Sequence, residues 1–237
     1  MPKAHTTWKV LPHRPIEKLD DRVWRIEGDL EGMPLKRVMT VARRGDGGLV
    51  IHNAMALEDG AMNEIETWGR PAVLVVPNGY HRLDARVFKD RYPELRVLCP
   101  RGARAKVSEV VPVDGGYEDL PPDDHVSLVT LDGTKDAEGA MIVRGASGAT
   151  LVLNDTLFNM PHQAGFSGFV LRHLTRSSGG PAISRVTRWF IVKDGKAFAA
   201  HLTKLADTKD LVRIVVSHHE TISEAPAEIL RRLAATM

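Results

Sequence analysis

The sequence predicts an α/β fold in which two β-sheets pack face to face and helices cover their outer faces. Most of the first fifty residues fall in strand-like runs, and helical and strand patterns alternate over 57–100. A meander of strands then precedes a last third that is rich in helical patterns. Of the 237 residues, 43% are hydrophobic and 26% are charged. A chain with this much apolar surface can offset the entropy cost of folding. The length allows one large domain or two small ones, and we expect residues 1–237 to form a single domain.

The first elements are strands. Their β-branched content predicts strands at 23–26, 37–43 and 48–52. The sequence RGDGG before the last of these predicts a hairpin turn, because Asp-Gly and Gly-Gly pairs tolerate positive φ. Residues 57–68 then carry apolar side chains at helical spacing, which predicts a helix after the hairpin.

The next stretch has the pattern of a layered sheet. Residues 72–76 read AVLVV, an uninterrupted apolar run typical of a strand that is covered on both faces. A helix is predicted over 81–95, ending near Pro93, and a short strand over 95–100. Helix, strand, helix and strand thus follow one another from residue 57 to residue 100.

The second half begins with a meander after a loop at 114–124, which we do not interpret as a domain linker because strands resume at once. Helical patterns then dominate, apart from one buried strand that ends in polar residues. The meander strands are predicted at 125–131, 140–145 and 149–155, the helices at 183–192, 196–207 and 223–237, and the last strand at 211–219.

Composition excludes several classes of protein. The 32 basic and 30 acidic residues leave a net charge of +2, which gives no support to nucleic-acid binding. A single cysteine, Cys99, excludes an internal disulfide framework and a cysteine-rich zinc site. The first twenty residues lack a signal-peptide core, and no apolar run approaches the roughly 18 residues needed to span a bilayer. We expect a soluble, cytoplasmic protein without a membrane partner, and the oligomeric state is left open.

Three polar clusters follow predicted buried strands, and strand ends are where ligands bind in folds of this kind. In the first, VVPNGYHRLDA (75–85), His81 and Asp84 are three residues apart and would share a face of the predicted helix. An imidazole and a carboxylate aimed at one point suit a zinc or iron site. The alternative is that Asn78 or Asp84 only caps the turn or the helix.

The other two clusters offer an acid and two histidines. Asp155 follows the strand in ATLVLNDTLFNM, where it could bind a metal or cap a turn. His218 and His219 follow the last strand in RIVVSHHE. Adjacent side chains point in different directions, so at most one of these two histidines is expected to be a ligand. The alternative is a polar strand end whose histidine caps neighbouring carbonyls.

These residues resemble the metallo-β-lactamase fold superfamily from about Trp24 to His219. PNGYHRLDA stands where that superfamily has its His-x-His-x-Asp-His motif, NDTLF matches its Gly-Asp-Thr segment, and VVSHH matches its final histidine strand. The first motif also resembles a subgroup of unassigned activity that reads Pro-Asn-x-x-His. The resemblance implies a four-layer αββα sandwich with the site at one edge, between its two halves.

The resemblance also implies a reduced metal site. Asn78 and Tyr80 or nearby residues stand in place of two first-motif histidines, and residues 131–139, where a middle histidine belongs, contain none. Asp132 is the nearest oxygen ligand there. Asp155 corresponds to the metal-bridging aspartate, and either His218 or His219 corresponds to the last histidine. One divalent ion (zinc, iron or manganese) is conceivable, or none, but not a binuclear centre.

Two functions follow from this pattern. The first is a metal-dependent hydrolase of a small ester, amide or thioester, with His81, Asp155 and a terminal histidine holding the ion and Asp84 accepting a proton. The second is a non-catalytic module that keeps the fold to bind a ligand or a protein. A role in nucleic-acid processing is a third hypothesis, and the balanced charge argues against it.

Overall fold

The computed structural model describes residues 3–237, without the side chain of Pro34, and contains a six-stranded sheet built from the first hundred residues. Its strands lie in chain order; the first four are antiparallel neighbours, and the last three are parallel. The strands are β1 (Glu17–Lys18), β2 (Val23–Leu30), β3 (Met33–Arg43), β4 (Gly48–His52), β5 (Arg70–Val75) and β6 (Arg96–Leu98).

A second sheet of four strands is built from the rest of the chain. The meander supplies three antiparallel strands, and the last strand of the chain pairs in parallel with the third of them. Two further short strands pair with each other as a separate ribbon. The sheet strands are β7 (Val126–Thr130), β8 (Gly139–Gly145), β9 (Gly148–Leu153) and β12 (Leu211–Val216), and the ribbon strands are β10 (Phe158–Met160) and β11 (Gly180–Ala182).

The described part of the chain forms six α-helices, the last of which follows β12, together with two π-helical turns at Val170–Leu174 and Thr187–Ile191. The Asp194 side chain caps the longest of these helices by accepting from the backbone N–H groups of Lys196 and Ala197. The helices are α1 (Asp59–Trp68), α2 (Ala85–Arg91), α3 (Arg104–Val107), α4 (Gly165–Phe169), α5 (Gly195–Ala206) and α6 (Pro226–Ala234).

Alternation along the strands divides the core into three layers. In β4, Leu49 and Ile51 pack with α1 and α2, whereas Val50 faces the second sheet. In β12, Val215 packs in the same layer as Val50, between the two sheets. The adjacent residues Ile214 and Val216 pack with α5 and α6 on the outer face. Helices therefore cover the outer face of each sheet, which is the αββα sandwich that the resemblance implied.

The predicted helix over 81–95 is shorter than expected. The Asn78 side-chain oxygen accepts the backbone N–H groups of Tyr80 and His81, at 2.7 and 2.9 Å, and this turn delays the helix until Ala85. His81 and Asp84 thus do not share a helix face. The helix predicted over 183–192 forms over residues 185–191, where two α-helical residues continue into the π-helical turn Thr187–Ile191.

No helix within the described residues is long and apolar enough to cross a membrane. The prediction that residues 1–237 form one domain stays a prediction.

Candidate metal centre

Two of the three polar clusters meet because their strands are parallel neighbours. Val216 at the end of β12 lies opposite Leu153 at the end of β9. Two residues beyond the end of each strand, the chain reaches His218 after β12 and Asp155 after β9. Since the carboxyl ends of parallel strands lie at the same edge of a sheet, these two side chains reach one point.

The third cluster comes from the other sheet. β5 ends at Val75, and the chain then turns around Asn78 and delivers His81 to the same point. The two sheets are joined at this edge by a backbone hydrogen bond from Val38 N–H to the carbonyl of Ser217, at 2.9 Å. The site therefore lies where both halves of the sandwich meet.

His81, Asp155 and His218 form a close cluster. Nε2 of His81 lies 2.9 Å from Oδ1 of Asp155, and Nε2 of His218 lies 3.1 Å from the same oxygen. Their three ligand atoms all lie within 4.8 Å of one another. The His218 ring also stacks on the ring of Phe158, with centroids 5.4 Å apart, which fixes its plane.

The outer nitrogens of both imidazoles are bound to acceptors. Nδ1 of His218 lies 2.8 Å from the backbone carbonyl of Lys36, so it carries a proton and donates it. Nδ1 of His81 lies 3.1 Å from Oδ1 of Asn53, whose own amide nitrogen donates to the carbonyl of Val38. That oxygen is therefore an acceptor too. In the neutral form, both rings present an Nε2 lone pair to Asp155.

The ionisation of the cluster follows from this geometry. Burial alone would raise the pKa of Asp155, but the facing imidazoles of His81 and His218 hold it well below its usual range. Burial alone would lower the pKa of His218, yet its hydrogen bond to ionised Asp155 and the Lys36 carbonyl raise it overall. A positive charge between Nε2 and the carboxylate is favoured at this position, whether a proton or a metal ion carries it.

Solved structures share this architecture. A metallo-β-lactamase from Erythrobacter litoralis, with β-mercaptoethanol in its active site, superposes with a TM-score of 0.59 at 13% identity, over 94% of this chain and 96% of its own. The DIM-1 metallo-β-lactamase, exposed to ceftazidime, gives 0.61 at 12% identity, over 96% and 99%. The chain has the metallo-β-lactamase fold. No protein-family model matches it, and no curated protein is significantly similar to it in sequence.

Within this metallo-β-lactamase fold, a hydrogen-bonded network lies beside the three-residue cluster. Nδ2 of Asn78 donates to Oδ2 of Asp155 at 2.8 Å and to Oε1 of Glu138 at 2.5 Å, and Asn154 contributes a longer bond to Glu138. Burial and the nearby charge of Asp155 raise the pKa of Glu138 well above its usual range. Both effects favour the neutral form of Glu138.

Sequence reasoning missed Glu138 and pointed to Asp132 instead. Asp132 is exposed and pairs with Nδ1 of His201, at 2.9 Å, away from the cluster. Glu138 directly precedes β8 and is 1% exposed. The signal that could have found it is its place as the last acid before a buried strand.

His219 and Asp84 lie outside the cluster. The backbone of His219 is left-handed, with φ of 64°, and Nε2 of its ring accepts the backbone N–H of Lys36 in a separate cavity that includes Arg25. Asp84 is 1% exposed, and its carboxylate is bound by Arg37, His5 and the backbone N–H of Ala56. The structure thus gives no geometric support to a proton-accepting role for Asp84, because its oxygens are occupied and it does not line the cavity at the cluster.

The cluster lies in a cavity of about 600 Å³, a size typical of small-molecule sites. Asp155 is the only carboxylate among the described residues that line this cavity. The walls are mostly apolar and include Leu35, Tyr80, Phe158, Phe190 and Ile191.

Proposed function

We propose that this protein is a metal-dependent hydrolase that holds one divalent ion between His81, Asp155 and His218 and acts on a small ester, amide or thioester. One observation carries the proposal: both imidazoles have Nδ1 bound to an acceptor and Nε2 turned to the same carboxylate oxygen, so that in the neutral rings both Nε2 lone pairs would be free to bind an ion beside Asp155. Metal-ligating histidines characteristically donate their other ring N–H to such a partner.

The donor set fits a catalytic ion. Two imidazole nitrogens and one carboxylate oxygen suit zinc, iron or manganese, and catalytic zinc sites commonly use three protein ligands. When bound, such an ion supplies Lewis-acid activation of a carbonyl and lowers the pKa of water toward 7. Among the described residues, only these three offer ligand atoms close enough together to hold an ion, which supports one ion rather than two.

The chain's own residues orient and enclose the reaction. Asn78 fixes Asp155 through its second oxygen, and Asn53 and the Lys36 carbonyl fix the two rings. The apolar walls of the cavity exclude water around a bound substrate. A small-molecule substrate, the absence of nucleic-acid and membrane partners, and a cytoplasmic location remain predictions.

Metal analysis tests the proposal. Protein purified without chelator is compared with the His81→Ala, His218→Ala and Asp155→Ala variants, and His219→Ala is the matched control because it removes the adjacent imidazole. We expect close to one ion per chain in the wild type and in the control, and loss of the ion in the other three. The same five proteins are then assayed with chromogenic esters and thioesters. Equal and negligible metal in wild type and His81→Ala would overturn the proposal.

A second function, a non-catalytic binding module, is favoured by one specific observation. The Nε2 to Oδ1 distances of 2.9 and 3.1 Å are hydrogen-bond distances, so protonated imidazoles can close the cluster without an ion. Ligand binding by metal-free protein, with no hydrolysis by any metal-loaded form, would support this alternative.

A further inference from the structure

Several large apolar side chains are exposed to solvent beside the mouth of the cavity. Phe166 is 84% exposed, Trp189 67% and Phe190 68%. Most of the large apolar side chains that the described residues expose lie in one segment, as Phe166, Phe169, Leu174, Val186, Trp189 and Phe190. Exposed apolar patches of this kind mark surfaces that bind a partner or a membrane.

These side chains belong to two helical turns that are joined to each other and to the cavity. The first turn runs through α4 into Val170–Leu174, and the second covers residues 185–191. The backbone N–H of Arg185 donates to the carbonyl of Thr175, at 2.8 Å, and so connects the two turns. Val186 and Phe190 also line the cavity. The exposed apolar surface is therefore continuous with the apolar wall of the cavity.

The same segment carries only positive charge. Residues 156–193 contain five of the 32 Lys and Arg residues of the chain and none of its 30 Asp and Glu residues. Three of the five donate to backbone carbonyls, and within residues 3–237 none of them has a carboxylate partner. The five are Arg172, Arg176, Arg185, Arg188 and Lys193.

This combination fits a membrane surface that contains anionic lipids. Aromatic rings lie well at the boundary between headgroups and acyl chains, and neighbouring Lys and Arg side chains are attracted to lipid phosphates and carboxylates. A second copy of this chain fits less well, because a symmetric contact would place like charges against each other. A nucleic acid also fits less well, because Leu174 and Val186 offer no ring on which a base could stack.

We propose that the surface formed by residues 166–193, the aromatic surface, binds to membranes that contain anionic lipids and inserts Phe166, Trp189 and Phe190 at the level of the headgroups. The mouth of the cavity then faces the bilayer. The inference does not depend on the proposed function, since none of the three candidate ligands belongs to this surface. It replaces the prediction of no membrane partner, which considered segments that span a bilayer, whereas this surface lies on one.

Co-sedimentation with lipid vesicles tests the binding. The protein is mixed, with chelator present, with vesicles of phosphatidylcholine alone or of phosphatidylcholine with phosphatidylserine. We expect at least about tenfold tighter binding to the vesicles with phosphatidylserine, because each basic residue near an anionic surface adds to the attraction. Binding should weaken as the salt concentration rises, since salt screens exposed charges.

Two double variants remove the two parts of the aromatic surface. Phe166→Ser/Trp189→Ser removes aromatic rings that do not line the cavity, and Arg172→Gln/Lys193→Gln removes two exposed charges. Each is expected to weaken binding to the phosphatidylserine vesicles about tenfold. The matched control, Lys204→Gln/Lys209→Gln, removes the same charge from exposed positions outside the segment and should bind like the wild type. Thermal unfolding confirms that every variant is folded.

Equal binding of the wild type to both kinds of vesicle would overturn the proposal. So would binding that survives in the aromatic variant, or equal binding by the charge variant and its control. Size-exclusion chromatography and titration with a single-stranded oligonucleotide identify the other occupants. A dimer that the aromatic variant dissociates, or oligonucleotide binding that the charge variant weakens, would overturn the proposal if the vesicles are not bound. Because chelator is present throughout, failure of the metal analysis leaves this result intact, and the reverse also holds.

Discussion

Nδ2 of Asn78 lies 2.8 Å from Oδ2 of Asp155. The same nitrogen donates its second hydrogen to Glu138, so one amide connects the candidate ligand to a buried acid. Two ionised carboxylates on one amide would repel each other, so this network favours the neutral form of Glu138. This relationship predicts that substitutions of Asn78 and of Glu138 change the stability by different amounts.

We expect Asn78→Ala to destabilise the protein by about 2 to 3 kcal/mol, because it leaves Asp155 and Glu138 without their shared donor and releases the turn before His81. Urea denaturation measures the change. Asn63→Ala, on the exposed side of α1, is the control, and its effect is expected within about 0.5 kcal/mol of zero. Equal stability of the two variants would contradict the prediction.

Glu138→Gln is expected to change stability by less than about 1 kcal/mol, since the raised pKa of Glu138 favours its neutral form and glutamine keeps the shape and charge of that form. Glu138→Ala should instead cost about 2 kcal/mol or more, because it leaves a cavity and two unpaired amides. Both values come from urea denaturation at pH 7. A glutamine variant as unstable as the alanine variant would show that Glu138 is ionised.

Asp84→Ala is expected to lower stability by about 3 to 5 kcal/mol, because it strands the buried guanidinium of Arg37. Asp90→Ala is the comparison, since Asp90 pairs with Arg86 on the surface of α2 and should contribute less than about 1 kcal/mol. Denaturation and metal content are measured together. Loss of metal without loss of stability in Asp84→Ala would restore a direct role for Asp84 in the site.

We expect His52 to contribute to the loss of folding stability at acidic pH. Burial, together with the nearby His81, lowers the pKa of His52 to about 3, so the folded protein keeps this ring neutral while the unfolded chain protonates it below about pH 6.5. Stability therefore falls as the pH drops from about 6.5 toward 3, by up to roughly 1.4 kcal/mol per unit from this group.

His52→Met removes that contribution and is expected to flatten the decline between pH 6.5 and 4, as measured by urea denaturation at several pH values. It should not destabilise strongly at pH 7, since neither ring nitrogen of His52 has a partner among the described residues. His173→Gln, at the surface, is the control. An unchanged slope in His52→Met would contradict the assignment.

The strands and layers were predictable because apolar runs such as 72–76 are long and unbroken, and the sandwich follows from their order. The proximity of Asp155 to one terminal histidine was also predictable, since both follow buried strands that could end at one edge. The structure shows which histidine it is. That choice depends on the left-handed backbone of His219 and on the Lys36 carbonyl, neither of which leaves a pattern in the sequence.

Long-range pairing explains the other differences. The role of Asp84 depends on Arg37, which lies 47 positions earlier in the numbering, and no local pattern connects an acid after one strand to an arginine within another. Glu138 was hidden for a similar reason. It is one of several acids in residues 131–139, and only the packing of β8 against its neighbours buries this one.

The outer hydrogen bonds of the two imidazoles have a consequence for how the protein would handle an ion. The Lys36 carbonyl and the Asn53 side chain aim the rings from a sheet that is already hydrogen-bonded and packed. Small domains that fold around zinc lose their structure when the ion is removed. Here the scaffold holds the three side chains in advance, so we expect that, if the site binds an ion as proposed, a chelator would remove it and a fresh ion would reload it without any refolding of the chain.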